Sequence, residues 1–137
     1  MARVYGERRE LPAELLRLLD THPAAAECTP PLDIIETEAG IEAVLDLPGV
    51  APSSIEIVLS RNVLLVTGQK QPAVCEHGDA AFHIAERSFG RFARAIAMDG
   101  AFDAGRATAT LANGELRVFL PRLADRRGAQ IRIPIQR

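Results

Sequence analysis

Leu11, Leu15, Leu18 and Leu19 recur at intervals of three and four, the spacing that stacks side chains on one face of a helix. Pro12 stands where a first helical turn tolerates proline, and Glu10 and Glu14 suit the positive N-terminal end. The pattern predicts one short amphipathic helix. Pro23 and then Pro30-Pro31 close this region as a linker, so an arm is expected over residues 1–31.

From Leu32 the period changes to two. Ile41, Ala43, Leu45 and Leu47 alternate with Glu42, Val44 and Asp46, and Pro48-Gly49 supplies a turn whose glycine takes positive φ. Ile55, Ile57 and Leu59 form the next alternating row. Ser60-Arg61-Asn62 then turns the chain into Val63 to Thr67, apolar on both faces and therefore expected to be buried on both. Three more strands are expected at Arg91 to Met98, Arg106 to Ala112 and Glu115 to Leu120, the last two joined by Asn113-Gly114, the chemistry of a two-residue primed hairpin turn. Short strands joined by turns, with no helix between them, predict an all-β antiparallel β-sandwich over residues 32–121.

Two segments stand outside that sandwich. Between Lys70 and Arg91 the chain makes an excursion longer than an ordinary hairpin connection, carrying its own alternating piece, Phe82-His83-Ile84-Ala85-Glu86. A plain insertion accounts for Pro72 to Ala80 but not for that alternation. At the other end, residues 122–137 form an extension. Arg122 to Gln130 is a charged tether, and Ile131, Ile133 and Ile135 place an apolar row at spacing two, opposite Arg132 and Pro134. Pro134 has no N–H to give a ladder, which restricts this piece to an edge or an added strand; its row needs a groove, and the tether suits carriage to another subunit, which points towards assembly.

Composition narrows the function classes. A chain of 137 residues with 47% hydrophobic residues has enough apolar material for one core, and a net charge of -2 with no long basic run gives no reason to expect a nucleic-acid or membrane partner. No apolar stretch has the length of a membrane span and Met1 to Arg9 is charged, so a cytoplasmic location is expected. Cys28 and Cys75 lie far apart in loop sequence and read as exposed free thiols, with an intermolecular bridge as the alternative. No phosphate-cradling loop, dinucleotide fingerprint or nucleophile elbow is present, and no histidine is placed by a motif beside Ser53, Ser54, Ser60 or Ser88. His22, His77 and His83 are scattered, and Cys75-Glu76-His77 offers two metal ligands without partners. The expectation is a protein that is not an enzyme and holds no cofactor or metal.

Residues 32–137 resemble the alpha-crystallin domain and tail of small heat-shock proteins of the bacterial and plant type. The resemblance rests on Pro31-Leu32-Asp33-Ile34-Ile35-Glu36-Thr37, on Asp46-Leu47-Pro48-Gly49-Val50, on Glu86-Arg87-Ser88-Phe89-Gly90-Arg91-Phe92-Ala93-Arg94 against E-R-x-x-G-x-F-x-R, and on Ala109 to Leu116 against A-x-x-x-N-G-x-L. Ile131-Arg132-Ile133 is similar to the closing I-x-I motif. Ile96-Ala97-Met98-Asp99 departs from it by lacking the leucine-proline of many members, Glu115 stands for the commoner valine, and the arm is short.

The resemblance implies an immunoglobulin-like sandwich and an ATP-independent chaperone, a holdase that binds unfolding client proteins and forms homodimers and higher homo-oligomers. ATP-driven chaperones are then expected downstream. It implies that the tail enters a groove between the strand Ile55 to Leu59 and the strand Arg106 to Ala112, with Ile55, Ile57, Leu59 and Thr108 as receiving residues, although these isoleucines also suit an ordinary core. It implies that His83, Ile84 and Glu86 reach across to the partner subunit's sheet. Arg94 lies in the row Phe92, Arg94, Ile96 and Met98, where a charge among apolar neighbours needs a partner: Glu86 of the other chain is the candidate, and a side chain snorkelling to solvent is the alternative. The leucine row of the arm is the candidate client-binding surface; a helix packed on its own sandwich is the other reading. A monomeric adaptor resembling the CS domain of co-chaperones is the rival function, against which the tail and the excursion both argue.

Overall fold

The computed structural model describes residues 28–72, 77–123 and 131–136. Their strands form two sheets. One has the order β1 (Leu32–Glu36), β2 (Gly40–Asp46), β7 (Glu115–Pro121), β6 (Thr108–Ala112) and β9 (Ile135–Gln136); the other runs β5 (Gly90–Ala97), β4 (Val63–Lys70), β3 (Glu56–Ser60) and β8 (Ile131–Arg132). Every pairing is antiparallel except that of β6 with β9. The arm leucines and Cys75 lie outside the described residues.

Turn chemistry sets the register. Arg61 and Asn62 take φ of 48° and 64°, and Asn113 and Gly114 take 54° and 75°, the left-handed pairs that a two-residue hairpin needs to match the twist of its strands. With those turns fixed, Ser60 faces Val63 and Ala112 faces Glu115. Alternation then sends Ile57, Leu59, Leu64 and Val66 inward from one sheet to meet Ile41, Ala43, Leu45, Leu116, Val118 and Leu120 from the other. Phe92, Ile96 and Met98 of the β5 row complete this core. Gly40 is required where β2 crosses β7, because a Cβ there would run into the carbonyl of Leu120.

Three expectations change. The strand expected from Arg106 begins at Thr108, since Ala104–Arg106 is a single 3-10 turn capped by the Asp103 carboxylate, which accepts from the Gly105 N–H at 3.1 Å. Phe82 to Glu86 is not a strand: this stretch makes no ladder, and Phe82 and Ile84 are 81% and 76% exposed. Cys28 is half-buried rather than exposed. Its N–H donates to the Arg91 carbonyl at 3.2 Å, its thiol lies 3.6 Å from the Gly90 carbonyl, and its side chain packs on the core. The end of the expected linker therefore lies against the β5 edge.

Candidate functional site

The sandwich is open along the side where β3 edges one sheet and β6 edges the other, and the tail lies in that opening. β8 pairs antiparallel with β3, Val58 facing Arg132 and Leu59 facing Ile131. The Ile133 N–H donates to the Ile57 carbonyl at 3.0 Å. Pro134, having no N–H, ends that ladder, and the chain crosses to β6, where Ile135 faces Ala109 and Gln136 faces Thr110 in parallel register. One short segment thus supplies backbone partners to two sheet edges that would otherwise present unpaired N–H and C=O groups.

Side chains divide the tail as their spacing requires. Ile133 is 4% exposed and belongs to the main core cluster, and Ile135 is half-buried against it. Arg132 and Pro134 point to solvent, and the Arg132 guanidinium pairs with the Glu56 carboxylate on β3. An open cleft runs beside the tail, lined by Pro52, Ser53, Ile55, Glu56 and the tail itself. Apolar burial supplies the adhesion here. The Arg132–Glu56 pair, with its side chains 64% and 35% exposed, adds little beyond fixing the register.

Of the residues expected to receive the tail, Ile57 and Leu59 are buried in the core beneath it, and Ile55 is half-buried along the cleft. Thr108 is exposed instead; the inward residue of β6 is Ala109. The parity was available in the sequence: counting back from Asn113-Gly114 puts Leu111 and Ala109 on the same face as Leu116 and Val118. Glu56 was also missed. An acidic residue one step before an apolar row carries no signal until its partner strand is known.

Arg94 sits half-buried between Phe92 and Ile96, and its guanidinium donates to the Pro30 carbonyl at 3.3 Å. Glu86 is exposed, as are His83 and Ile84. The excursion folds a small apolar cleft of its own, lined by Pro72, Phe82, Ile84, Ala85 and Phe89, with Arg87 5.0 Å from the centre of the Phe89 ring. At the opposite side of the molecule, β1 has β2 as its ladder partner among the described residues, and Ile35 on it is exposed.

Arg122 anchors the start of the tether. Its guanidinium bonds the Glu36 carboxylate at 2.6 Å and lies 5.9 Å from the centre of the Phe102 ring. Leu123 N–H donates to the Ala101 carbonyl at 2.9 Å, so the chain is held to the sandwich as far as Leu123. Among the described residues, no three side chains of His, Cys, Asp or Glu are grouped as metal ligands, and no helix is long and apolar enough to cross a membrane.

A two-sheet antiparallel sandwich whose open side takes an I-x-I segment defines an alpha-crystallin type of domain. The chain belongs to the Hsp20/alpha crystallin family, whose match covers residues 33–136. It is 29% identical over 113 residues to small heat shock protein C4 of Rickettsia felis, covering 82% of this chain and 69% of that one. Among solved structures, heat shock protein 16.0 of Schizosaccharomyces pombe superposes with a TM-score of 0.64 at 28% identity, over 77% of this chain and 97% of the other. A small heat-shock protein of Xylella fastidiosa, described as having a distinct high order structure, superposes with a TM-score of 0.62 at 30% identity, over 77% and 96%. The chain spans between 60% and 69% of the length of the first curated relatives it matches. The family is one of chaperones rather than enzymes.

Proposed function

We propose that this protein is an ATP-independent holdase of the cytoplasm that binds unfolding proteins, built from strand-exchanged dimers that associate through their tails. The observation that carries the reading is the seat of Ile133 between β3 and β6, because a segment on a tether docked by two short ladders and one buried isoleucine is a detachable part. In the isolated chain the tail fills its own groove. The same register is open to a neighbour's tail, and residues 124–130 are the connector that would carry it there.

Magnitudes explain why such a contact is reversible. Ile133 and Ile135 together gain roughly 3 to 6 kcal/mol from burial, before the cost of ordering the tether and losing rigid-body freedom. After those costs one tail alone is at best a millimolar-class ligand, no tighter than about -4 kcal/mol. Several tails in a closed particle act at high effective concentration, so the particle persists while single contacts open, and warming uncovers apolar surface.

The dimer has a second basis. Phe82 and Ile84 present an exposed apolar pair, and β1 offers an edge with one ladder partner among the described residues. The segment Phe82 to Glu86, laid along the partner's β1, would satisfy both, and Glu86 brought beside the partner's Arg94 would compete with the Pro30 carbonyl for its guanidinium. Clients released from the particle would pass to ATP-driven chaperones.

Light scattering of a heat- or reduction-unfolded client, with this protein and without nucleotide, tests the reading. Suppression at equimolar protein is the expected result. A need for ATP, or no suppression at that ratio, would overturn it.

A further inference from the structure

The two outward faces of the sandwich differ in chemistry. On the β1–β2–β7–β6 sheet the outward face is mixed and open to water: Arg117 bridges Glu42 at 2.9 Å and Glu115 at 3.3 Å, among Asp33, Asp46, Thr108 and Thr110, with Ile35, Val44 and Phe119 only partly covered between them. On the β3–β4–β5 sheet the outward row is Val58, Val63 and Leu65, flanked by Ala95 and Ala97, and it is not exposed: Val58 and Leu65 are 1%, Val63 4% and Ala97 9% accessible. Ser60 and Thr67, on the same face, are buried as well. Among the described residues, the one further apolar side chain packed on this cluster is Ala95, which belongs to the face itself. A sheet face that is apolar, uncharged at its centre and closed to water has an occupant.

We propose that the occupant is this chain's own N-terminal arm, residues 1–27, laid on the outward face of the β3–β4–β5 sheet through Leu11, Leu15, Leu18 and Leu19. Of the segments outside the described residues, it alone carries an apolar row; residues 73–76 are too short, and residues 124–130 are charged. Its point of attachment is right, because the chain leaves the arm at Cys28, bonded to the Arg91 carbonyl on β5, the strand that edges this sheet. Dimensions agree. Leu11 to Leu19 on a helix spans about 12 Å, close to the roughly 10 to 14 Å across three strands, and residues 20–27 reach up to about 26 Å when extended. The register Val63–Ala97 and Leu65–Ala95 sets a ridge of branched side chains beside a lane of alanines, the relief in which a row of leucines beds. On the chaperone reading, lifting the arm would offer clients two apolar surfaces at once; the docking itself does not depend on that reading.

Thiol accessibility on the full chain tests this without any client. In a Cys28→Ser, Cys75→Ser background, a single Ala95→Cys probe reports the outward face through its reaction with a soluble aromatic disulfide. The expected result is slow labelling at every protein concentration, accelerated about tenfold or more by Leu15→Asp with Leu18→Asp, the protection that about 1.4 kcal/mol of docking provides. Equal rates with the intact and the charged arm would overturn the proposal. So would protection that vanishes on dilution with the arm intact, since a second copy would then be the cover. If Ala95→Cys unfolds the sheet by circular dichroism, Ala93→Cys on the same row takes its place. A Leu18→Cys, Ala95→Cys pair must in addition form its disulfide within one chain in a mixture of light- and heavy-isotope protein; bridges only between chains would contradict the assignment.

Discussion

At the scale of the residue, the tail contact divides into one side chain that holds it and one that aligns it. Ile133 is buried in the core cluster and donates its N–H to Ile57, whereas Arg132 meets Glu56 in water. Ile133→Ala should therefore weaken docking by about 2 to 3 kcal/mol, and Arg132→Ala by less than about 1 kcal/mol, the latter effect fading at high salt. Hydrogen exchange of the tail peptide, read by mass spectrometry, checks both. Equal effects of the two substitutions would mean that charge carries the contact. Pro134→Ala should weaken it only modestly, because it restores an N–H and frees φ while keeping the apolar residues. Arg94 is the other informative residue. Its position between Phe92 and Ile96 was legible from spacing alone, but its bond to the Pro30 carbonyl was not, since a backbone acceptor leaves no mark in a side-chain pattern. If Glu86 of a partner takes over that guanidinium in the dimer, Arg94→Ala should destabilise the dimer by up to about 3 to 5 kcal/mol. A double-mutant cycle with Glu86→Ala should give a clear coupling energy; coupling near zero leaves Arg94 with its own chain.

At the scale of the element, what the sequence revealed and what it hid follow one rule. Elements fixed by local chemistry were legible: the Arg61-Asn62 and Asn113-Gly114 hairpins, the Pro48-Gly49 turn with Gly49 at φ 76°, and β4, whose two apolar faces are both buried. Elements that need a distant partner were not. Phe82 to Glu86 has strand alternation without a strand, because a strand exists only where an edge accepts its ladder, and none pairs with it among the described residues. On β6 the inward residue is Ala109 and Thr108 is exposed, a one-residue parity that the hairpin register fixes and spacing alone leaves open. The two faces of β4 also carry more than core. One faces the other sheet, and the other lies under the arm if the leucine row docks there. Phe82→Ser with Ile84→Ser should separate the dimer while leaving the sandwich folded, with sedimentation and circular dichroism as the two readouts. Loss of both dimer and fold would show that the excursion is part of the domain.

At the scale of the whole molecule, a two-sheet sandwich carries short apolar segments outside its strand order, which the proposed function treats as detachable parts. The core is shared by both sheets and closed by tight turns, whereas tail, excursion and arm each offer a short apolar row on the end of a connector. In the proposed particle that division would let contacts open without unfolding the subunits, because each contact would contribute a few kcal/mol against the larger cooperative stability of the domain. It also sets a competition. A groove filled by its own tail is closed to a neighbour's, so occupancy within the chain favours small species and occupancy between chains favours large ones. Sedimentation velocity over a concentration series, comparing the unaltered protein with the triple variant Ile131→Ala, Ile133→Ala, Ile135→Ala, tests this most directly. A large species is expected for the unaltered chain and a dimer for the variant, with nearly identical circular dichroism; a large species that survives in the variant would contradict assembly through the tail and assign it to the arm.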